Sequence, residues 1–477
     1  MKQLFLTLCP MLATAFLLSS CLDNDTDEVA LYDDTAITSF SLTGANLVKH
    51  TVGSGGRDSI YTISGATTVS AIKFHIDQVN RRIYNTEKLP MNVDVSKMLC
   101  SIGTRNNGVP FIEPLEPGDI TYVSTTDSLD FSERRVVRVY SSNGAAYSAD
   151  TIYVYRHTED GDAFVWTRMA DCPQLAGAEA LRAAAIGGRT VALVAKGGQT
   201  LVMEAPQETG GSWGDPLATL GGGAWRNATV RNDSLFVLDG TALKASANGQ
   251  HFSTIAGAAE LRRLTGCSSR ELYGQGADGQ LLVSADGGRT WQPDSMAYED
   301  REDSLRLAIQ LPTRDVTCLG RPSSYMAQSD YVVMAGNRDV TQEDFKSDRN
   351  ARTWRKIVDY ANGRPQGRWI CTNEYDESKW PLPAMEDLQL FAYDGALMAI
   401  GGKGTGACAV EAYSRIYESR DGGITWKKAA QVALPGGMGA RPTAMGVTVD
   451  ADNYIWLFCG GTGEVWRGRL NRLGWNE

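Results

Sequence analysis

Short runs in which apolar and polar residues alternate recur along most of this chain, and they predict β-strands. Five runs of strand length fall between Asp33 and about residue 157. These runs are Ala36–Leu42, Ser59–Ile63, Ala71–Ile76, Arg135–Tyr140 and Thr151–Tyr155. Asn143 and Gly144, which precede the last run, are typical of a hairpin turn. The spacing predicts an antiparallel β-sandwich over residues 33–160.

Apolar runs that end in glycine follow from residue 161 onward. There are six, at residues 190–198, 234–240, 271–274, 331–336, 396–402 and 454–461. A unit that repeats at roughly 40 to 50 residues predicts a β-propeller over residues 161–477, with each run as the second strand of a blade. The runs predict six blades, with seven as the alternative. No outermost strand follows Trp466, so Ala163–Met169 is expected to supply it and close the ring.

An octapeptide occurs twice, as SADGGRTW at residues 284–291 and as SRDGGITW at residues 419–426. Its Asp can accept hydrogen bonds from turn amides, its glycines permit positive φ, and its Trp buries a large apolar surface. The pattern resembles the Asp-box, a hairpin signature of sialidases and of many propellers without enzymatic activity. The residues that carry this resemblance are Ser284, Asp286, Gly288, Trp291, Ser419, Asp421, Gly423 and Trp426. The resemblance implies a structural turn.

Weaker copies of the octapeptide extend the repeat. Residues 208–213 and 246–252 keep parts of it, and their aromatic residues precede Trp291 at steps of 39 residues. Two blades must share the 135 residues between Trp291 and Trp426. Trp380 is the expected divider, with Trp354 as the alternative. The glycine pairs after the second strands resemble those of Kelch blades, which implies a Kelch/Asp-box hybrid.

The first twenty residues form a candidate export signal. Met1 and Lys2 precede the apolar run Leu4–Leu18, which is too short to span a membrane and is typical of a secretory signal. The run ends in LSSC, which resembles a bacterial lipobox. This resemblance implies that residues 1–20 are removed and that Cys21 is diacylated. A plain secretory signal with an incidental cysteine is the alternative.

The residues after Cys21 bear on location. Leu22, rather than Asp, follows the cysteine, which under the usual Gram-negative sorting rule favours the outer membrane. The acidic tether over residues 21–32 resembles the surface-export signal of some gut anaerobes, and a merely solvated linker is the alternative. We expect a lipid-anchored protein that faces the cell surface or the periplasm, with the surface slightly favoured. No later run reaches the roughly 20 apolar residues of a membrane span.

Signal, lipobox, sandwich and propeller together resemble an uncharacterised family of gut-bacterial lipoproteins with domains of unknown function. The resemblance covers nearly the full chain. It implies an immunoglobulin-like N-terminal domain followed by an Asp-box/Kelch-like propeller, and it implies no activity.

Composition removes several classes of function. A net charge of −10 argues against nucleic acid as a partner, since phosphate binding requires a basic surface. The chain has four histidines and none of the zincin, lipase or P-loop motifs, so we expect no metal and no cofactor. Outside residues 1–21 there are seven cysteines, which we expect to be mainly buried free thiols with at most one or two disulfides. We expect a monomer.

Arginines near the start of the predicted inner strands are the candidate ligand-binding residues. The candidates are Arg182, Arg226, Arg262 (with Arg263 as the alternative), Arg314 and Arg441. A ring of guanidinium groups would bind carboxylate, phosphate or sulfate through bidentate hydrogen bonds. The fifth blade has Glu386 and Asp387 instead. The alternative is that these arginines are solvated strand-end residues.

Aromatic residues are a second set of candidates. Trp225, Tyr325 and Trp369 could stack on sugar rings, although tryptophans at such spacings are more often core residues of a blade.

The sialidase resemblance does not extend to a catalytic motif. Sialidases carry an Arg-Ile-Pro sequence, and the nearest string here is Arg415-Ile416-Tyr417. Other glycosidases need two carboxylates at a defined separation, which 56 acidic residues neither establish nor exclude. No catalytic residue is identified, and the enzymatic question stays open with a non-catalytic role favoured.

The sequence thus predicts an envelope binding protein whose propeller face recognises a glycan, acidic or neutral, or a protein partner. The first alternative is a cryptic glycoside hydrolase or lyase at the channel mouth, and the second is a scaffold in an envelope complex. An exposed acid pair beside the arginines would favour the enzyme. A mouth lined by arginines and aromatics without such a pair would favour binding.

Overall fold

The computed structural model describes residues 31–52, 58–64, 71–256, 261–297, 301–361, 365–373 and 379–475. The predicted signal, Cys21 and most of the predicted tether lie outside these residues. The chain divides into two compact units, Met1–Asp160 together with Glu477, and Gly161–Asn476. In both units the regular secondary structure of the described residues is mainly β-strand.

The first unit contains twelve described strands. They are β1 (Ile37–Thr43), β2 (Asn46–Val52), β3 (Asp58–Ile63), β4 (Phe74–Asp77), β5 (Arg82–Asn85), β6 (Val93–Asp94), β7 (Met98–Thr104), β8 (Val109–Ile112), β9 (Thr121–Tyr122), β10 (Ser128–Leu129), β11 (Arg135–Tyr140) and β12 (Tyr147–Tyr153). They form sheets of order β1-β7-β10, β3-β2-β6 and β4-β5-β12-β11-β8-β9. All five predicted runs overlap strands, and β11 has the predicted bounds.

Alternation along these strands produces the core of the first unit. In β11 every second residue, including Val137 and Val139, is buried. Side chains from β1, β5, β7, β8 and β12 join them in one apolar cluster. One pair departs from the antiparallel prediction, since β12 runs parallel to β5.

The second unit consists of four-stranded antiparallel meanders. Its strands are β13 (Phe164–Arg168), β14 (Ala180–Ile186), β15 (Arg189–Lys196), β16 (Gln199–Glu204), β17 (Ala218–Gly221), β18 (Ala228–Arg231), β19 (Ser234–Asp239), β20 (Ala242–Ser246), β21 (Ser253–Thr254), β22 (Leu261–Cys267), β23 (Leu272–Gly276), β24 (Leu281–Ser284), β25 (Gln292–Pro293), β26 (Arg314–Pro322), β27 (Ser329–Asn337), β28 (Arg352–Asp359), β29 (Ile370–Cys371), β30 (Gln389–Tyr393), β31 (Ala396–Ile400), β32 (Tyr417–Ser419), β33 (Lys427–Lys428), β34 (Met445–Val449), β35 (Ile455–Cys459) and β36 (Val465–Leu470).

Helices are few among the described residues. The α-helices are Pro173–Ala176 and Arg301–Ala308, and the 3-10 helices are Arg105–Asn107, Ala224–Arg226, Glu343–Phe345 and Asn471–Gly474. None of the helices in the described ranges is long and apolar enough to cross a bilayer.

The meanders are arranged around a central channel. Four sheets have orders β14-β15-β16-β17, β18-β19-β20-β21, β30-β31-β32-β33 and β13-β36-β35-β34. The fifth has eight strands, because the meanders β22–β25 and β26–β29 pair through β22 and β26. Strands β14, β18, β22, β26, β30 and β34 lie innermost and contact one another in this order, and β34 contacts β14. They enclose a channel cavity of about 350 Å³.

The last meander is completed from the start of the unit. β13 pairs antiparallel with β36, so Phe164 lies opposite Leu470 and Trp166 opposite Gly468. The prediction that Ala163–Met169 supplies the outermost strand is confirmed by this pairing.

Burial explains the glycine-ended runs. The second strand of a meander has neighbouring sheets on both faces, so β31 and β35 are buried at every residue. The outermost strands are two to five residues long, and β21, β25 and β33 are exposed throughout. A continuous apolar run is therefore the sequence pattern of a second strand.

The repeated octapeptide forms a hairpin turn between the third and fourth strands of its meander. The Ser284 hydroxyl donates to Asp286 Oδ1 at 2.8 Å and accepts the amide of Gly288 at 2.8 Å. The Asp286 carboxylate also accepts the amides of Arg289 and Thr290. The second copy repeats these contacts through Ser419, Asp421, Gly423, Ile424 and Thr425.

The tryptophan of each octapeptide closes its turn. Trp291 Nε1 donates to the carbonyl of Gly288 at 3.1 Å, and Trp426 Nε1 donates to that of Gly423 at 3.1 Å. In the weaker copy, Asn248 Oδ1 accepts the amides of Gln250 and His251.

The expected divider Trp380 is wrong, and so is its alternative Trp354. Trp291 and Trp426 each directly precede the fourth strand of a meander, and Trp369 holds the same position before β29. Trp354 lies within β28, and Trp380 lies in the connection from β29 to β30. Trp369 lacks the flanking S-x-D-G-G sequence, so the octapeptide pattern could not mark it.

Candidate functional site

Arginines from neighbouring meanders meet at one end of the channel. Arg182 lies on β14, Arg226 ends the 3-10 helix before β18, Arg263 lies on β22, and Arg314 begins β26. They line a mouth cavity of about 130 Å³. The residues around this mouth cavity are Arg182, Trp225, Arg226, Arg263, Arg314, Asp315, Val316 and Asp387. The structure therefore brings together Arg182, Arg226 and Arg314 of the five predicted arginines.

Arg262 does not belong to this group, and the alternative Arg263 takes its place. Strand β22 has a register irregularity between Leu261 and Arg263 where it pairs with β23. Arg262 is exposed and lines a separate cavity of about 780 Å³ together with Arg368 and Asp278. A shift of one residue moves a side chain to the other face of a strand, which is why the prediction failed here.

Arg441 is also misplaced by the prediction. It lies four residues before β34, is exposed, and forms an ion pair with Glu411. The inner strand begins only at Met445, so Arg441 precedes the channel wall. The last meander contributes no arginine to the residues that line the mouth cavity.

The four arginines differ in how they are held. Arg263 donates to Gln275 Oε1 at 3.3 Å and to the carbonyl of Thr313 at 3.0 Å. Arg314 donates to Asp339 Oδ2 at 3.0 Å. The guanidinium groups of Arg182 and Arg226 make neither a hydrogen bond nor an ion pair with a described residue. These two guanidinium groups therefore keep their donors available to the mouth cavity.

Arg226 is positioned by an aromatic ring instead. Its guanidinium carbon lies 4.9 Å from the ring centroid of Trp225. Trp225 is only 6% exposed, and its amide donates to Thr200 Oγ1 at 3.2 Å. This cation–π contact holds the guanidinium group of Arg226 without using its N–H donors.

Two aspartates complete the mouth cavity. The amide of Asp387 donates to Asp315 Oδ1 at 3.1 Å, and Asn337 Nδ2 donates to Asp315 Oδ2 at 2.9 Å. Both carboxylate oxygens of Asp315 therefore accept hydrogen bonds from other residues of the protein. The carboxyl group of Asp387 has no hydrogen bond or ion pair with the residues that the structure describes.

Asp387 was predicted only as a residue that replaces an arginine in the fifth blade, and Asp315 was not predicted. The available signal for Asp315 was its position directly after Arg314 at the start of an inner strand. Residue Glu386 was named with Asp387, but it is exposed and pairs with Lys403 at 3.6 Å.

Electrostatics at the mouth cavity reflect burial. Burial raises the pKa of Asp387, and Arg182 partly offsets this rise. Burial lowers the pKa of Arg182, and the charges of Asp387 and Asp315 act in the opposite direction. Burial also lowers the pKa of Arg263 to about 10, with a further contribution from Arg262. Each charge is disfavoured by the removal of water, so an added counter-ion would stabilise the arginines.

Tyr413 lies beside this group. It is 3% exposed, and burial raises the pKa of its hydroxyl, with the charge of Asp387 adding to the rise. Its φ angle of 45° is unusual for an aromatic residue. The hydroxyl is therefore neutral and can act as a hydrogen-bond donor.

The other aromatic candidates lie elsewhere. Trp369 is 1% exposed, and its Nε1 donates to Asp294 at 2.7 Å. It is a core residue, as the alternative interpretation had it. Tyr325 is 97% exposed and lies in the connection between β26 and β27.

The seven described cysteines are free thiols. Burial raises the pKa of Cys100 and of Cys459 to about 12, which keeps both thiols protonated and unreactive. In the described part of the chain, three or more His, Cys, Asp or Glu side chains nowhere converge to hold a metal ion.

The strands and the central channel define an all-β protein with a β-propeller domain, a class whose members bind ligands or act as scaffolds. The chain belongs to the DUF6242 family. The model of the DUF6242 beta propeller domain matches residues 160–477, and that of the DUF6242 N-terminal domain matches residues 40–154. A comparison with curated proteins found no match.

Several solved structures are similar to this chain at low sequence identity. YCF48 from Cyanidioschyzon merolae is 13% identical, with 64% of this chain and 98% of that chain covered and a TM-score of 0.30. A Trichoderma reesei protein of Carbohydrate-Active Enzymes Family AA12 is 10% identical, with coverages of 65% and 96% and a TM-score of 0.34. BamB from Moraxella catarrhalis is 12% identical, with coverages of 59% and 82% and a TM-score of 0.28. Such TM-scores are too low to support an inference about this chain.

Proposed function

We propose that this protein is a lipid-anchored binding protein of the cell envelope, whose mouth cavity binds an anionic group on a glycan or on a protein partner. One observation carries the proposal. Arg182 is withdrawn from water far enough to lower its pKa, yet its guanidinium group makes no hydrogen bond or close ion pair with a described residue, and Asp387 and Asp315 act on it only through their charges. A desolvated charge without a partner is costly, and a bound anion removes that cost.

The size of the mouth cavity limits what enters it. At about 130 Å³ it is smaller than the roughly 300–1,000 Å³ of pockets that enclose a whole small molecule. It fits a carboxylate, sulfate or phosphate group, and the rest of the ligand stays outside. Recognition of one terminal group is typical of a receptor for a larger molecule.

The acid arrangement favours binding over hydrolysis. Glycoside hydrolysis by the usual mechanisms uses two available carboxyl groups. Both oxygens of Asp315 hold the amide of Asp387 and the side chain of Asn337, so Asp387 alone is available at the mouth cavity. The scaffold alternative predicts a filled channel, whereas the channel here contains a cavity of about 350 Å³.

The finer architecture belongs to the same proposal. The meanders around the channel are the six blades of a Kelch/Asp-box hybrid propeller over residues 161–477, and residues 33–160 are an immunoglobulin-like spacer. Residues 1–20 are the removed signal, Cys21 carries the lipid, and residues 21–32 are the tether. Leu22, directly after the lipobox, supports an outer-membrane anchor, and the acidic tether slightly favours the cell surface over the periplasm. Envelope partners are glycans or proteins, and nucleic acid is not among them.

A glycan array tests the proposed function. The chain without residues 1–29 is compared with the double variant Arg182→Ala/Arg226→Ala and with Arg441→Ala, which removes an exposed arginine outside the mouth cavity. We expect the unmodified protein and Arg441→Ala to bind acidic glycans, and the double variant to lose at least about tenfold in affinity, since each bidentate arginine contributes 1 kcal/mol or more.

Circular dichroism melts establish that the variants are folded. Equal binding by all three proteins would place the site elsewhere. If none of the acidic glycans binds, the proposal of a glycan ligand is overturned, and a protein partner remains the candidate.

A further inference from the structure

Asp387 is a hydrogen-bond acceptor in the mouth cavity, and a site that binds only an anion through its arginines has no need of one. It lines the cavity with Arg182 and Arg226, and its carboxyl group makes no hydrogen bond or ion pair with a described residue. An anion-binding site that contains only donors would be simpler and would bind more tightly. A free acceptor beside free donors indicates a ligand that presents both an anion and a hydrogen-bond donor.

The backbone of Asp387 is built to hold this acceptor in place. Its φ angle is 49°, and that of Asp315 is 50°, in the region that residues other than glycine rarely occupy. Asp315 accepts the amide of Asp387, and Asn337 in turn holds Asp315. Asn337 Nδ2 also donates to the carbonyl of Met385 at 2.7 Å, two residues before Asp387. The backbone that carries the carboxyl group is therefore held by contacts within the protein.

The charge balance decides which donor the ligand carries. An ammonium group and a hydroxyl group can both donate to a carboxylate. Four arginines face two aspartates around the mouth cavity, and Asp339 pairs with one of the four, Arg314, so a surplus of one positive charge remains. A zwitterion would leave that surplus in place, whereas an anion with hydroxyl groups reduces it.

We infer that the mouth cavity selects a hydroxylated anion, of the kind found at the end of an acidic sugar chain, with the anionic group on Arg182 and Arg226 and a neighbouring hydroxyl on Asp387. This inference rests on the proposed anion site and assigns its ligand to the sugar acids. A peptide carboxylate has no adjacent hydroxyl and offers Asp387 only a backbone N–H. Tyr413, whose pKa is raised by burial and by the charge of Asp387, lies close to this carboxyl group but outside the lining of the mouth cavity.

Isothermal titration calorimetry with matched probes tests the inference. D-glucuronate carries a ring, a carboxylate and hydroxyls, cyclohexanecarboxylate carries the ring and carboxylate alone, and glycine is the zwitterion. Glucose 6-phosphate distinguishes a sugar phosphate from a sugar carboxylate. We expect glucuronate or glucose 6-phosphate to bind at least tenfold more tightly than cyclohexanecarboxylate and glycine.

Two variants assign the preference to one side chain. Asp387→Gly removes the acceptor and tolerates the positive φ angle, so the fold is retained. Glu386→Gln removes an equal charge one residue away, outside the lining of the mouth cavity. We expect Asp387→Gly to reduce the preference for the hydroxylated probe to about twofold or less, and Glu386→Gln to preserve it.

The outcomes separate the two proposals. Equal affinity for glucuronate and cyclohexanecarboxylate, or a preference that survives in Asp387→Gly, overturns the inference and leaves the anion site standing. Tighter binding of glycine than of glucuronate also overturns it, in favour of a zwitterion. If none of the anions binds and Arg182→Ala/Arg226→Ala changes nothing, the proposed function fails as well.

Discussion

Three single residues in or beside the mouth cavity have a strained backbone conformation. Asp315, Asp387 and Tyr413 all have φ angles between 45° and 50°. Such conformations cost about 1–3 kcal/mol each and persist only where surrounding contacts enforce them. Here the enforcing contacts are hydrogen bonds between the strained residues and their neighbours. The strain therefore lies in the residues that shape the site.

The titration of Asp387 gives a prediction for simple anions. Burial raises the pKa of this carboxyl group above its ordinary value of 3.8. As the pH falls from 7 through the raised pKa, Asp387 takes up a proton and no longer repels an anion bound to Arg182. Sulfate does not titrate in this range, so its affinity is expected to increase several-fold between pH 7 and pH 4.5.

Titration calorimetry at several pH values measures this dependence. In Asp387→Asn the amide is neutral throughout, and the affinity for sulfate is expected to stay constant with pH. A decrease in sulfate affinity on acidification of the unmodified protein would contradict the assigned role of Asp387.

For single residues, the sequence predicts the type of residue in the candidate site better than it predicts which position supplies that residue. Arginine at the start of an inner strand correctly located Arg182, Arg226 and Arg314. The irregular pairing of β22 moved Arg263 into the site in place of Arg262, and such a register irregularity leaves no mark in the amino-acid pattern. Asp315 depends on a hydrogen bond to a residue 72 positions away, which a single sequence cannot reveal.

Buried charge joins two meanders at the scale of secondary-structure elements. Lys356 on β28 is 3% exposed and lies 2.7 Å from Asp294 Oδ1 and 3.7 Å from Glu271 Oε2. Tyr273 donates to Glu271 at 2.7 Å. Asp294, Glu271 and Tyr273 belong to the segment from just before β23 to just beyond β25, so the ion cluster connects this meander with the next.

Loss of Lys356 is expected to destabilise the propeller. Lys356→Met leaves two buried carboxylates without a counter-ion, and the free energy of unfolding should fall by about 3 kcal/mol at pH 7. Burial raises the pKa of Glu271. Below that raised pKa the carboxyl group is neutral, so the loss should be smaller at pH 5 than at pH 7.

Urea denaturation at both pH values provides the measurement. Lys346→Met is the control, because Lys346 is 62% exposed and its partner Glu343 is 82% exposed. An equal effect of the two substitutions would show that burial of the ion cluster is energetically unimportant.

Strands were predicted well where packing determines the pattern of apolar residues. Second strands are buried on both faces, and each of the six glycine-ended runs overlaps such a strand. Turns were predicted where the octapeptide is intact. The fourth strand of the meander β26–β29 was not predicted, because Trp369 follows a long connection without the S-x-D-G-G sequence. Only the observed pairing of β28 with β29 identifies this strand.

Closure of the ring by β13 is the main feature at the scale of the whole molecule. Trp166 of β13 donates to the carbonyl of Ala433 at 2.7 Å, and its ring lies 4.8 Å from that of Phe164. Trp166→Ala is expected to weaken the pairing of β13 with β36 by about 2 kcal/mol, less than for a fully buried tryptophan. Amide exchange of β36 should then accelerate by tenfold or more.

Hydrogen exchange followed by mass spectrometry resolves this effect by segment. Trp380→Ala, at a tryptophan that is 49% exposed, should leave exchange in β36 unchanged. Unchanged protection of β36 in Trp166→Ala would indicate that backbone pairing alone holds the ring closed.

The pairing of β13 with β36 also has a consequence in time. A ribosome makes β13 before all the other strands of the propeller and β36 after them. Until the last strand emerges, the growing chain is an open stack of sheets with two unpaired edges, and another copy of the chain can pair with either edge. The yield of closed monomers should therefore depend on how quickly synthesis of the C-terminal end is completed, whatever the stability of the finished ring.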